Sequence, residues 1–233
     1  MCNPRHEEHE YEGYTIKVIQ DIDPQNPRKD FDNLGVMVCE HSCYDLGDGG
    51  MYLLRDAVRA HPLWHDCWED DLEEDDNQWW LAKAERFGFI ILPLYLYDHS
   101  GITMNTTGFS CPWDSGRVGV IFASPAKIRE CHLLKPKQRI SNKIKKLVIK
   151  VLKAEVEEYD QYLTGDVWGF IIEDSDGEEI QDGSCWGFFG QDYCLQDAKG
   201  VVDAEIERRK EQALLDAAKE QASQFVEAED CYA

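Results

Sequence analysis

Residues 89–124 read FIILPLYLYDHSGITMNTTGFSCPWDSGRVGVIFAS, and no other stretch limits the fold as strongly. Two apolar runs, 89–97 and 118–123, flank a polar segment holding Asp98, His99, Ser100, Thr103, Asn105, Thr106, Thr107, Ser110, Cys111, Asp114 and Ser115. The runs read as two strands. Pro93 has no N–H to give a ladder, which places the first run at a sheet edge or a bulge. The segment between them reads as a loop of about twenty residues, and a structureless stretch of that length inside a compact domain tends to be functional.

The remaining elements follow from periodicity and from breakers. Residues 14–20 (YTIKVIQ) and 34–39 (LGVMVC) read as strands, an antiparallel pair across a loop broken by Pro24 and Pro27. Residues 166–173 and 184–189 form a hairpin-like pair with turn signals at Asp176-Gly177 and Asp182-Gly183. A short helix over 50–60, carrying Met51, Leu54, Ala57 and Val58, stops at His61-Pro62. Another is expected over 77–87, with Gly88 as its stop, and a longer one over 142–163, capped by Ser141 and ended by Gly165. In residues 201–228, Leu214, Ala218, Ala222 and Phe225 recur at helical spacing. The expected fold is α+β: a single domain with a mainly antiparallel sheet of about six strands, packed by amphipathic helices. Residues 1–13 read as a loose N-terminus, 14–195 as the core with an acidic insert at 66–76, and 196–233 as a C-terminal helix packed on the core or on a partner.

Charge narrows the choice of partners. The 233 residues include 46 acidic and 24 basic ones, a net charge of −22, yet 7 Trp, 10 Tyr and 9 Phe provide for a folded core rather than a disordered chain. A field of that sign repels nucleic acid and anionic membrane, and it suits an acidic face that engages a basic site on another protein. The densest acid run is Glu69, Asp70, Asp71, Glu73, Glu74, Asp75 and Asp76, just before a helix start. A helix dipole stabilises each well-placed carboxylate by about 0.3–1 kcal/mol, which accounts for only part of the run; the rest is expected to be partner-binding. Lys135, Lys137, Arg139, Lys143, Lys145, Lys146, Lys150 and Lys153 form one basic zone, expected as a solvated helix face paired to the protein's own acids. The start MCNPRHEEHEYEG has no signal-peptide character and no window approaches the ~20 apolar residues of a membrane span, so a cytoplasmic protein with its 9 cysteines reduced is expected.

Two constellations offer chemistry. In the central segment Cys111 or Ser110 is a candidate nucleophile, His99 a base, and Asp98 or Asp114 its orienting group, the outline of a small hydrolase or transferase. The surrounding GFSCP lacks the second glycine of a nucleophile elbow, and Pro112 supplies no N–H for an oxyanion hole of that kind. Against this stands a loop whose Asp, Asn, Ser and Thr side chains bond its own backbone beneath Trp113. The second constellation is Cys39, His41 and Cys43 with His61, His65 and Cys67, weak zinc candidates without C-x-x-C spacing. No phosphate-binding glycine loop is present, and no cofactor is expected.

The run LPLYLYDHSGITMNTTGFSCPWDSGRVGVIF, with DNLGVMVCEH before it and EVEEYDQYLTGDVWGF after it, resembles a group of proteins carried by bacteriophages, prophages and plasmids. The resemblance covers roughly residues 14–190 and brings no catalytic residues with it. It implies a mobile-element protein acting in a bacterial host. Together with the acidity it suggests a non-enzymatic inhibitor of a host defence or nucleic-acid-handling complex, of anti-CRISPR or anti-restriction type, by mimicry of nucleic acid. A homodimer through the C-terminal helix is the further alternative.

Overall fold

The computed structural model describes residues 5–66, 76–135 and 138–230; for 65–66 and 221–230 it describes the backbone alone. The order is β1 (His6–Tyr11), β2 (Tyr14–Gln20), α1 (Pro27–Asp30), β3 (Val36–Cys39), α2 (Tyr52–Arg59), a 3-10 turn (Pro62–Asp66), α3 (Asn77–Arg86), β4 (Ile90–Asp98), β5 (Ile102–Asn105), β6 (Ser115–Ala123), α4 (Pro125–Cys131), α5 (Asn142–Thr164), β7 (Val167–Glu173), β8 (Glu179–Phe189) and α6 (Gln191–Asp230). The α+β class and the long C-terminal helix agree with expectation. The single sheet of six strands does not: among the described residues eight strands form two four-stranded antiparallel sheets. The chain divides into two compact units, Met1–Pro24 with Gly165–Ala233, and Gln25–Thr164. Among the described residues no helix is long and apolar enough to cross a membrane.

In the first unit the sheet order is β1-β2-β7-β8. Alternation puts Tyr14, Ile16 and Val18 of β2 on one face with Trp168, Phe170 and Ile172 of β7, and there they bury against Cys194, Ala198 and Val202 of α6. Residues 6–11, expected to be loose, are instead an edge strand. Glu12 and Gly13, both at positive φ, make the tight turn that folds β1 onto β2 in register, Tyr11 opposite Tyr14. Its charged sequence, HEEHEY, is what an exposed sheet edge tolerates without inviting a further strand.

In the second unit the order is β3-β6-β4-β5. Met37, Leu94, Leu96 and Ile121 face Val148, Leu152, Val156 and Tyr159 of α5, while Val38, Val120 and Phe122 face Leu54, Val58, Trp80 and Ala84 of α2 and α3. Burial on both faces is why the central runs are apolar without alternation. The expected pairing of residues 34–39 with 14–20 is not formed. β2 gives its two edges to β1 and β7, and β3 pairs with β6 instead. Pro93 sits where β4 has β6 on one side and no ladder to β5 on the other, and a bulge follows between Leu94 and Tyr95.

One buried ionic group ties this unit together. Arg28, with a side chain 1 % exposed, donates from Nε and Nη2 to Asp48, from Nη1 to Glu155 at 3.1 Å and from Nη2 to the Gly35 carbonyl at 2.8 Å. Glu155 also accepts the backbone N–H groups of Leu34 and Gly35, and Asp48 accepts that of Met37. A Cβ at residue 35 would come within 2.5 Å of Leu152 and 2.8 Å of Ile121, so only glycine lets this backbone reach the carboxylate. Burial pushes the Glu155 carboxyl up, and the Leu34 N–H and Arg28 pull it back only in part.

Removing one partner from such a group strands a buried charge. Arg28→Met is therefore expected to lower stability to urea by about 3–5 kcal/mol. In the first unit Glu205 bonds Arg208 and Arg209, which hold its carboxyl below the ordinary range. The folded chain binds fewer protons there than the unfolded one, so this contribution is present above the ordinary carboxylate pKa and is lost as pH falls through the depressed value. The stability difference between the native chain and Glu205→Gln should accordingly vanish in acid, which thermal melts across a pH series will show.

Candidate functional site

The described residues place the strongest candidate at the end of the second sheet, where β4 finishes, β6 begins and the chain leaves β3. The expected twenty-residue loop is shorter than it looked. Ser100 and Gly101, both at positive φ, turn the chain into β5, which pairs back on β4 with Tyr97 opposite Thr103. Only residues 106–114 remain irregular. Asn105 Oδ1 shapes them by accepting the N–H groups of Thr107 and Gly108, and the Ser115 hydroxyl donates to the Cys111 carbonyl. This part of the self-bonded loop is as expected. Its position beneath Trp113 is not, because Trp113 is 92 % exposed and covers nothing.

A cleft of about 530 Å³ opens beside Trp113, lined by Glu40, His41, Ser42, Asp98, Asp114 and Arg117 among others. Glu40 arrives because its N–H continues the β3–β6 ladder to the Val118 carbonyl at 2.8 Å. Tyr44 donates to Asp98 Oδ1 at 3.2 Å, a bond that raises the phenol's pKa, and His41 stacks on the Tyr44 ring at 5.0 Å. A smaller cleft of about 190 Å³ shares Glu40 and Arg117 and includes Asn77 and Gln78 at the start of α3. Three carboxylates thus stand around one exposed indole with a single arginine among them. Such a set suits a guanidinium or ammonium group, which takes carboxylates edge-on and an indole face-on.

The nucleophile constellation is brought together in the wrong order. Asp114 Oδ2 lies 3.6 Å from His99 Nδ1 and 3.6 Å from Cys111 Sγ, so the carboxylate stands between thiol and imidazole. Nucleophilic catalysis needs the base in contact with the nucleophile and the carboxylate behind the base. Asp98 is engaged by Tyr44 rather than by His99, and Ser110 is exposed.

The described zinc candidates, Cys39, His41, Cys43 and His61, do not converge. Among the described residues no group of three or more His, Cys, Asp or Glu is placed to hold a metal ion. β3 ends at Cys39, so the alternation expected to align residues 39, 41 and 43 stops there. Cys39 is buried, and burial, followed by the Asp48 charge, pushes its thiol up to about 12. Cys43 is exposed, and its N–H occupies His41 Nδ1 at 3.2 Å. His61 stacks on Phe87 at 4.6 Å. His65 is described in its backbone alone, and Cys67 lies outside the described residues.

Of the acid run, Glu69, Asp70, Asp71, Glu73, Glu74 and Asp75 also lie outside the described residues; Asp76 caps α3 by accepting the Gln78 N–H at 2.8 Å. The basic zone corrects one expectation. Among the described residues, none of Lys143, Lys145, Lys146, Lys150 and Lys153 is paired with an acid, so the α5 face is not neutralised there. Sequence reasoning missed Glu40, Tyr44 and Arg117 as cleft residues. The strand pairing that assembles them is long-range, and no local spacing signals it.

With a carboxylate between thiol and imidazole, an alkylating probe should modify Cys111 no faster than the exposed Cys43, and His99→Ala should leave the Cys111 rate unchanged. Peptide mapping after timed iodoacetamide treatment measures both. Comparisons with protein-family models, curated proteins and solved structures found no match to this chain, so its reading rests on this geometry.

Proposed function

We propose that the chain is an acidic, non-enzymatic binding protein that takes a basic side chain of a partner protein into the Trp113 cleft. The partner is a host defence or nucleic-acid-handling complex, whose basic surface the protein occupies on behalf of a mobile element. One observation carries this reading: a tryptophan 92 % exposed at the mouth of a cleft that also presents Glu40, Asp98 and Asp114. Exposed indoles beside charged groups are the residues on which protein interfaces concentrate their energy. The net charge of −22 supports the same partner, because a field of that sign speeds encounter with a basic surface. The unpaired lysines of α5 strengthen the point: with so many positive charges on one helix face, the rest of the surface is more acidic than the total suggests.

Capture from host lysate on the immobilised full chain, read by mass spectrometry, tests the proposal. Nucleic-acid-handling proteins should be retained, released by raised salt and displaced by duplex DNA. Trp113→Ala should weaken binding to the recovered protein by about 2 kcal/mol, roughly thirtyfold. Retention indifferent to salt, to DNA and to Trp113→Ala would sink the reading.

A further inference from the structure

Helix α6 changes character halfway along. Cys194, Ala198, Val202 and Glu205, spaced by four, four and three, are buried on the side that meets the β1-β2-β7-β8 sheet. The same helical spacing carried onward reaches Arg209, Gln212, Asp216 and Glu220, so past Ile206 the sheet-facing side becomes polar. Over that span an apolar stripe begins on the opposite side with Leu214 and Ala218, and in the sequence Ala222 and Phe225 continue it at helical spacing. All described side chains from Glu207 to Glu220 are exposed, with Leu214 at 72 % and Leu215 at 57 %. This stripe is turned half a revolution from the core its own helix packs on. Because amphipathic helices draw most of their stability from packing, a projecting half with a relocated apolar face calls for a partner surface.

We propose that this surface is a second copy of the same chain, the distal halves of two α6 helices pairing antiparallel. Charge selects both occupant and direction. Glu227, Glu229 and Asp230 stand in the last turns of α6, where no basic residue lies, at the end of the helix whose dipole already disfavours anions. Arg208 and Lys210 stand where the projecting half begins, with Arg209 between them turned to the sheet side, over the Tyr14 ring and 3.8 Å from Asp174. Arg208 and Lys210 bond Glu205 and Glu207 on their own helix and still expose 57 % and 63 % of their side chains. Antiparallel pairing sets the acids of one copy beside these cations of the other; parallel pairing sets acid against acid. The register that matches the two clusters has its midpoint at Ala218 and Lys219 and brings Leu215 of one copy opposite Ala222 of the other. Alanines at 217, 218 and 222 leave room for the two backbones to approach closely. The dimer stands independently of the partner assigned to the cleft.

Sedimentation equilibrium of the full chain should give a particle of twice the 26.9 kDa chain mass. Leu214→Glu with Ala218→Glu should halve that mass while circular dichroism retains the sheet signal, since both sites are exposed. For direction, Arg208→Glu with Lys210→Glu should weaken the dimer by about tenfold or more, and adding Glu229→Lys with Asp230→Lys should restore it. A native chain that stays monomeric at about 100 µM, or a dimer mass indifferent to the Leu214 and Ala218 changes, would overturn the proposal. Failure of the second pair of reversals to rescue the first would overturn the antiparallel arrangement.

Discussion

Arg28 is the constraint on which the larger unit is built. Its guanidinium joins three pieces of backbone, the turn after α1, the entry to β3 and the loop at Asp48, to Glu155 of α5, and backbone bonds from Asp48 N–H to the Met37 carbonyl and from Cys39 N–H to the Gly49 carbonyl add to the link between the last two. Two carboxylates around one guanidinium leave the group net negative, and the Leu34 and Gly35 N–H groups share the excess. A cluster of hydrophobic side chains of equal volume would stabilise a core as well. Hydrophobic contact has no direction, however, and a planar fork with fixed acceptors does. Here the ionic group adds a directional constraint on the entry to β3, where Asp48 accepts the Met37 N–H, to the ladder and packing that hold β3 on β6.

The cleft inherits that placement. Glu40 and the His41–Tyr44 stack follow β3 directly, and Tyr44 reaches Asp98 at the end of β4 across the one intervening strand, β6. On the far wall the short loop through Asp114 is bound by its own side chains. One wall is therefore set by long-range ionic contacts and the other by local turn chemistry. Trp113 lies between them with no intramolecular packing to satisfy, consistent with a residue whose contact is intermolecular.

Much of this was legible in the sequence, and the misses have physical causes. Helices α3 and α5 and the β7–β8 hairpin carry local signals at their ends: the Asp76 and Ser141 caps, glycines at 88 and 165 with positive φ, and the turn at Asp174–Gly177. Local signals do not reach across units, which is why residues 14–20 and 34–39 were matched with each other. The central runs contained a further clue in their lack of alternation, since a strand buried on both faces has no polar side to show. β5 escaped notice because its four residues, Ile102–Asn105, are too short to show a period. His99, Cys111 and Asp114 were rightly placed in one neighbourhood, but their order around the Asp114 carboxylate is set by the loop's turns, which residue type alone does not encode.

A net charge of −22 on each copy argues against self-association, and the length of α6 answers the objection. Residues 207–230 span about 35 Å at helical rise, several times the screening length of about 8 Å at physiological ionic strength. Two chains joined at the far halves of these helices meet along residues 207–230, where seven acidic and four basic residues give each helix a net charge of −3, so most of the −22 of each chain lies outside the contact. Such a joint also presents two Trp113 clefts on one particle. In the proposed dimer a second basic site on the proposed partner would bind at an effective concentration set by the distance between the two clefts rather than by dilution. Individually weak, salt-sensitive contacts become a durable attachment in this way, provided the target carries basic sites at matching spacing.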